Sequence, residues 1–376
     1  MGKLFKRSVL GVAVAAAALV STGVQAKPAT DTVDLYGQIA VSVWQLGEDK
    51  IGGGDAPIKV ENESRFGLRG SHDLARGPIL FWQMEGGNVA DDGQGSGLGV
   101  RDTFVGLDFE DAGKIRLGRM LTPLYEIIDW PYSGQSAGKI FDGGGDIIGG
   151  ARYDRQSNMI RYDSANYSGF SFNLAAGRGT ESNKDSNFFG IGAHYSIAMF
   201  TFHAGYEGGQ DRSVSDLDSL YSAWLKQEPG VTPTPSGIEG STTSDTQAYL
   251  LGFEVNLEDF AFNAAYKHEQ ADYEDADFEY KGVTYEVRGL DLKQGSYSLG
   301  AIYNGVENWQ FKLNYAANLD VKASGTELDN TADSIISAQA QYFLDDSALT
   351  YLRPYVIEKD GSDREFGWGA GIEYYF

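Results

Sequence analysis

Four histidines and one glycine-rich acidic segment are the residues whose types could hold a metal or carry out catalysis. His72, His194, His203 and His268 are scattered, and no pair has the spacing of a metal-binding motif. The segment FDGGGD, residues 141–146, lacks the ligand series and terminal glutamate of an EF-hand. We therefore predict no metal, no cofactor and no enzymatic activity. His203 is the one position to check for a catalytic role.

Cysteine content and charge exclude two further classes of function. The chain has no cysteine, which removes thiol chemistry. Lysine and arginine number 30 against 53 aspartates and glutamates, a net charge of -23, which argues against nucleic acid as a partner. With these classes of function excluded, the side chains left to carry a function are charged residues that line a surface.

The elements that must position those charges are predicted from the last twelve residues, EFGWGAGIEYYF. With a period of two, one face carries bulky apolar side chains, namely Phe366, Trp368, Ala370, Ile372, Tyr374 and Phe376. The opposite face carries Glu365, Gly367, Gly369, Gly371, Glu373 and one bulky residue, Tyr375. Such alternation predicts a β-strand.

The same alternation recurs along the chain, for example in residues 32–44, 169–177, 260–269 and 308–320. Short clusters of Gly, Asp, Asn and Ser separate paired runs, and longer polar, mostly acidic segments connect the pairs. An apolar outer face and a polar inner face over about sixteen strands favour an all-β fold, a transmembrane antiparallel β-barrel. A soluble propeller or sandwich is the alternative, but it would need an apolar interior.

The chain divides into two segments. Residues 1–26 have Lys3, Lys6 and Arg7, then an apolar run and small residues up to Ala26, which predicts a cleaved secretory signal peptide. An uncleaved anchor is the alternative, although the apolar run is short for a membrane span. Residues 27–376 are predicted to form the exported barrel, whose net charge without the first segment is -26.

Several segments resemble the general diffusion porins of Gram-negative bacteria, the trimeric sixteen-stranded outer-membrane family. They are VDLYGQIAVSV at 33–43, ESRFGLRGSHDL at 63–74, RDTFVGLDFEDAGKIRLGRMLTPLY at 101–125, DRQSNMIRYDSANYSGFSF at 154–172, and the terminal strand. The resemblance spans residues 27–376. It implies an outer-membrane location, a homotrimer, and a third loop that folds into the pore after IRLGR at 115–119.

The resemblance also implies a constriction in which acidic loop residues face arginines of the barrel wall. The wall residues it points to are Arg65, Arg101, Arg119 and Arg155, and the loop residues are Glu126, Asp129, Asp142 and Asp146. Alternation independently points Arg65 and Arg69 inward, because Phe66 and Leu68 take the outward parity. Arg119 shares the parity of apolar residues and is placed only by its strand end. The loop lacks the PEFGG signature of enterobacterial members.

The expected function is a water-filled channel for passive diffusion of ions and small hydrophilic solutes, with a mild cation preference from the acidic balance. Expected partners are the lipid bilayer, lipopolysaccharide, and divalent cations bound diffusely by acidic outer loops. The alternatives are a selective sugar or oligosaccharide channel and a non-conducting structural or adhesin barrel. A sugar channel would show an inward aromatic track, for which Tyr36, Trp44 and Tyr375 have the right parity.

Overall fold

The computed structural model describes residues 27–45, 58–89, 97–142, 153–179, 181, 183–213, 242–280, 283–287, 289–359 and 363–376. The predicted signal peptide, residues 1–26, lies outside the described residues, so its assignment stays a prediction. Asp146 and most of the acidic outer segments also lie outside them.

Sixteen antiparallel strands of the described residues form the barrel wall. They are β1 (Val33–Gln45), β2 (Ile58–Asn62 and Arg65–Asp73), β3 (Ile79–Gly86), β4 (Leu98–Asp108), β5 (Lys114–Leu121), β6 (Arg155–Asp163), β7 (Phe170–Arg178), β8 (Asn187–Ile197), β9 (Phe200–Ser213), β10 (Thr243–Asn256), β11 (Phe260–Tyr273), β12 (Leu290–Val306), β13 (Trp309–Asn318), β14 (Asp333–Phe343), β15 (Ala348–Glu358) and β16 (Glu365–Tyr375). Short strands lie outside this order at Lys27–Thr30, Ala276–Tyr280, Val283–Val287, Lys322–Ala323 and Thr326–Glu327.

The sheet closes between its first and last strands. β1 pairs with β2, where Leu35 lies opposite Leu68, and also with β16, where Gln38 lies opposite Tyr375. Backbone hydrogen bonds between Gly37 and Phe376, of 2.9 and 3.1 Å, complete the seam. Each strand therefore pairs with both neighbours, and the barrel presents no open edge. The predicted fold class is confirmed.

The outer face of the barrel is apolar. Phe366 and Leu117 expose 61% and 57% of their surface, and Leu251, Leu352 and Ile372 point outward with them. The alternation predicted for the terminal strand is confirmed, because side chains of even number in that strand face outward. In a transmembrane barrel this belt contacts the hydrocarbon region of the bilayer.

Connections at the two ends of the barrel differ in length. At one end β8 passes into β9 through Ala198 and Met199, and β6 passes into β7 through a turn in which Asn166 Oδ1 accepts from Gly169 N at 2.7 Å. Gly169 has φ +95°, a conformation that glycine adopts without strain. The connections at the opposite end are longer. Short turns mark the periplasmic end of an outer-membrane barrel.

The third long connection starts at Thr122 and folds into the barrel, as the fold prediction expected. It contains α1 (Pro123–Ile127), a further helical turn (Ile128–Tyr132) and α2 (Gly138–Phe141). Thr122 caps α1 by accepting a hydrogen bond from Tyr125 N at 3.3 Å, and proline at the first helical position suits the start of a helix. Among the described residues, no helix is long and apolar enough to span a membrane.

Candidate functional site

The third loop packs its apolar side chains against the inside of the barrel wall. The buried loop residues are Leu124, Ile127, Ile128, Tyr132, Ile140 and Phe141, and they cluster with Trp44, Ala248, Leu250, Ala265, Ala316, Ile335, Tyr355 and Ile357 of the wall. Burial of such a side chain stabilises by roughly 1.5–3 kcal/mol relative to exposure. This packing fixes the loop inside the lumen.

Glycines in the wall make room for the loop. A Cβ atom at Gly252 of β10 would lie 2.3 Å from the Tyr132 hydroxyl oxygen, and one at Gly205 of β9 would lie 2.7 Å from Leu124 Cδ1. Both distances are shorter than any van der Waals contact. The absent side chains therefore let loop and strand backbones approach closely.

Wall side chains also bind the loop backbone. Ser298 Oγ donates to the carbonyl of Tyr132 at 2.6 Å, and Asn318 Nδ2 donates to that of Ile140 at 3.2 Å. The Arg353 guanidinium donates to the Gln135 carbonyl at 3.1 Å. These bonds satisfy loop carbonyls that would otherwise be buried without partners.

A buried ion cluster ties the start of the loop to β6. Arg161 exposes only 2% of its side chain and donates to Glu126 of α1, to Asp163 Oδ1 at 2.8 Å and to the Leu121 carbonyl at 2.9 Å. Arg116 holds the other oxygen of Asp163 at 2.7 Å. Glu126, which was predicted as a lumenal charge, is thus paired with Arg161, which was not among the predicted residues.

A row of arginines lines the wall formed by β2, β4 and β6. Arg101 forms an ion pair with Glu85 Oε1, and Arg65 Nε lies 3.7 Å from the same oxygen. Arg155 Nε lies 2.6 Å from Asp102 Oδ1. Three of the predicted wall arginines thus lie on alternate strands of the wall, and Glu85 and Asp102, which were not predicted, partly neutralise them.

The other two predicted arginines occupy different surroundings. Arg119 donates to the Val100 carbonyl at 2.7 Å and to Ser157 Oγ at 3.2 Å, which places it beside the row. Arg69 Nε lies 3.7 Å from Asp34 Oδ2, and its guanidinium lies 5.1 Å from the centre of the Tyr36 ring. Arg69 is therefore paired nearer the short-turn end of the barrel than Arg65.

Two carboxylates of the third loop approach each other. They lie on the opposite side of the lumen from the arginine row. Asp129 is exposed to the lumen, and Asp142 Oδ2 accepts a hydrogen bond from the Tyr125 hydroxyl at 3.2 Å. Enclosure by the protein and then the nearby Asp142 carboxylate raise the pKa of Asp129, whereas Arg101 and the other row arginines lower it in part. Asp146, the fourth predicted carboxylate, lies outside the described residues.

The raised pKa of Asp129 gives the channel a predicted pH dependence. A carboxyl whose pKa is raised is charged above that pKa and becomes neutral as the pH falls through it. On acidification, Asp129 should lose its charge at a higher pH than an aspartate with an ordinary pKa. We therefore expect the preference for cations to begin to decrease at that higher pH. Reversal potentials in a salt gradient, measured from pH 7 to pH 4, test this expectation. The Asp129→Asn variant should lack this step. An identical titration in wild type and variant would contradict the assignment.

Two histidines of neighbouring wall strands, His194 of β8 and His203 of β9, contact each other at the base of the loop. His194 Nδ1 lies 2.8 Å from His203 Nδ1, and His203 Nε2 lies 3.1 Å from Glu254 Oε1. The Tyr132 ring packs edge-on against His203 at 5.9 Å. Within the described part of the chain, no group of three or more His, Cys, Asp or Glu residues could hold a metal ion.

A closed sixteen-stranded barrel with an apolar outer face, a charged lumen and an inward-folded loop defines an outer-membrane channel. The chain belongs to the Gram-negative porin family, whose family model matches residues 11–372. It is accordingly a porin of the bacterial outer membrane.

Three individual proteins that are similar to this chain are consistent with that family assignment. The chain is 36% identical over 396 residues to a chitoporin of Vibrio furnissii, with 100% of both chains covered. It is 31% identical over 375 residues to outer membrane porin protein 32 of Delftia acidovorans, covering 95% of this chain and 91% of that protein. The anion-selective porin from Comamonas acidovorans shares the fold with a TM-score of 0.65 at 19% identity, covering 92% of this chain and 99% of that one.

Proposed function

We propose that this porin passes ions and small hydrophilic solutes by passive diffusion, with a mild preference for cations, and that it has no enzymatic activity. The observation that carries the proposal is the arginine row of Arg65, Arg101 and Arg155 facing the loop carboxylate of Asp129. Opposed charges set a field across the narrowest part of a water-filled pore, and low-dielectric walls strengthen that field. Polar solutes align with the field and pass without being bound.

Two electrostatic effects change the cation preference in opposite directions. The arginines repel cations locally, but Glu85 and Asp102 are paired with them and reduce that effect. The net charge of -23 on the whole chain raises the concentration of cations at the pore mouths. The balance supports weak cation selectivity.

A selective sugar channel is the second candidate, supported by the full-length similarity to a chitoporin. The predicted aromatic residues do not form a continuous track. Trp44 is buried beneath the third loop, the Tyr36 hydroxyl donates to Glu85 Oε2 at 2.9 Å, and the Tyr375 hydroxyl donates to Glu373. A sugar would therefore need another site.

We further propose that the porin is a homotrimer that contacts lipid and lipopolysaccharide. The apolar outer belt supports burial against lipid or a second subunit. Diffuse binding of divalent cations was predicted on outer segments that lie largely outside the described residues, and it remains a prediction.

Single-channel recording of residues 27–376 in a planar bilayer, with a salt gradient, tests the proposed function. Ohmic steps that close in thirds, with a reversal potential of cation sign, are expected for a trimeric diffusion pore. A barrel without conductance would contradict the proposal and favour a structural or adhesin role. Conductance blocked at low sugar concentration would favour the sugar channel.

A further inference from the structure

Two histidines face each other on the inner wall of the barrel, near its short-turn end. His194 of β8 lies directly opposite His203 of β9 in the pairing of the two strands, and the turn at 198–199 joins these strands. Their neighbours Tyr195 and Phe202 expose 41% and 47% of their surface on the outer face. Since side chains alternate along a strand, both imidazoles point into the lumen.

The two imidazoles direct the same ring nitrogen at each other. His194 Nδ1 lies 2.8 Å from His203 Nδ1, and the two ring planes meet at 78°. A hydrogen bond joins one donor to one acceptor, so one nitrogen holds the proton and the other presents a lone pair. A metal ion can take the place of that proton, because the nitrogen of neutral imidazole is the commonest metal ligand in proteins.

A carboxylate of the next strand fixes the tautomer of His203. Glu254 Oε1 lies 3.1 Å from His203 Nε2, and an ionised carboxylate only accepts hydrogen bonds, so Nε2 carries the proton. In the neutral ring the lone pair is then on Nδ1, the atom that faces His194. Histidines that bind metal ions almost always donate their other ring N–H to a carboxylate, a backbone carbonyl or water. His203 is therefore held as a metal-binding histidine is held.

The separation of the two nitrogens distinguishes between kinds of metal ion. Bonds from a metal ion to imidazole are about 2.0–2.1 Å long, so two nitrogens at right angles on one ion lie about 2.9 Å apart, and two at the tetrahedral angle about 3.3 Å. The 2.8 Å between His194 Nδ1 and His203 Nδ1 matches the right angle. Right angles are typical of Cu²⁺ and Ni²⁺, whereas Zn²⁺ is usually tetrahedral. The broad χ2 preference of histidine lets both rings turn until their lone pairs meet at the ion.

The charges around the pair favour a bound cation. Three carboxylates and two arginines lie there, and the arginines are paired with two of the carboxylates, which leaves a net negative charge. They are Glu126, Asp163, Glu254, Arg116 and Arg161. His203 and Glu254 expose 11% and 12% of their side chains, so part of the site is open to lumenal water. Two histidine nitrogens and water can therefore surround one ion.

We propose that His194 and His203 form a two-imidazole site for a divalent transition-metal ion of the Cu²⁺ or Ni²⁺ type, on the lumenal wall at the base of the third loop. Both Nδ1 atoms bind the ion, the proton of His194 Nδ1 moves through water to its Nε2, and water supplies the remaining ligands. Glu254 is a positioning residue that keeps the lone pair of His203 on Nδ1. The inference goes beyond the proposed diffusion of ions, because it assigns one class of cation a fixed site in the lumen.

Calorimetric titration of residues 27–376 with Ni²⁺, in detergent micelles, tests the site. Wild type is compared with His194→Gln, His203→Gln and Glu254→Gln. His268→Gln is the matched control, because His268 of β11 packs at 5.3 Å against Tyr249, which faces outward. Electron paramagnetic resonance of the Cu²⁺ form counts the nitrogen atoms bound to the ion.

We expect wild type to bind a single Ni²⁺ per chain and its Cu²⁺ form to show two nitrogen ligands. His194→Gln and His203→Gln should each remove this binding, and His268→Gln should match wild type. Glu254→Gln should weaken binding about tenfold, since loss of a group that orients a metal-binding histidine costs about 10- to 100-fold in affinity. The two-nitrogen signal should persist in Glu254→Gln at saturating Cu²⁺, which distinguishes a positioning residue from a ligand.

Two results would overturn the site. One is equal Ni²⁺ binding by wild type, His194→Gln and His203→Gln. The other is wild-type protein that does not bind Ni²⁺ in a saturable manner. Conductance is recorded on the same preparations, so a barrel that binds Ni²⁺ but does not conduct would support the site and refute the proposed function. If one histidine variant does not fold, the other decides the question.

Discussion

Replacing Arg161 with methionine is expected to lower the free energy of unfolding by about 3–5 kcal/mol, the usual cost of removing one partner from a buried ion pair. Methionine fills much of the space of the arginine stem. It leaves Glu126 without its cation, while Asp163 keeps only its bond to Arg116. Because Glu126 belongs to α1, the loop should also lose its attachment to β6. Urea midpoints in detergent micelles and the noise of the open-channel current measure the two effects.

Arg364→Met is the matched control for this experiment. Arg364 also pairs with a carboxylate, Glu358 at 2.8 Å, but it exposes 77% of its side chain, so no measurable loss is expected. The double variant Arg161→Met with Glu126→Gln should recover part of the lost stability, since it removes the uncompensated charge. Equal midpoints for Arg161→Met and Arg364→Met would show that the buried cluster does not hold the loop.

Replacing Arg65, Arg101 and Arg155 together with glutamine is expected to raise the ratio of cation to anion permeability about fivefold or more. Removing a charge about 4 Å from a passing ion changes its energy by about 1 kcal/mol even at the dielectric constant of water. Glu85 and Asp102 would then face the lumen without their arginine partners and attract cations further. Reversal potentials at low and high salt measure the ratio, which screening should reduce at high salt.

Arg69→Gln is the control for this triple variant. Arg69 has the same charge and lies on the same strand as Arg65, but it is paired with Asp34 toward the short-turn end. A small change in the permeability ratio is expected. If Arg69→Gln changed the permeability ratio as much as the triple variant does, ion selectivity would arise from charges along the whole lumen and not from the constriction.

The fold was predictable from the sequence because the side chains of a strand alternate strictly between two environments. Phe366 and Ile372 of the terminal strand expose their side chains outward as the period of two predicted. The resemblance predicted the inward third loop and the strands that carry Arg65, Arg101 and Arg155. The functional role of these arginines is still a proposal.

Alternation alone does not assign a face to residues that lie where the strand register shifts. The pairing of β3 with β4 is interrupted between Met84 and Gly86, and Arg101 reaches Glu85 in that interval. A register shift changes which face a residue occupies, and a single sequence does not show where the shift occurs. Glu85 itself could have been found, because it shares the parity of the polar residue Gln83.

Inward parity also did not distinguish contact with water from contact with protein. Lys267 and Glu269 of β11 face the lumen and expose 0% and 1% of their side chains, and their charged groups lie 2.6 Å apart. Lys267 Nζ lies 5.2 Å from the centre of the Phe141 ring of the third loop. Such burial depends on a loop distant in sequence, so no local pattern predicts it.

The packing of the third loop against β8 to β15 makes the aqueous route through the barrel eccentric. We expect solutes to pass beside the arginine row of β2, β4 and β6, whereas much of the inner surface opposite serves as a protein interior. Mutational tolerance is divided in the same way. Substitutions along the open arc can alter what permeates while the barrel still folds, and substitutions beneath the loop affect stability first. New permeation properties can therefore evolve on one side of the pore without loss of the scaffold that holds it open.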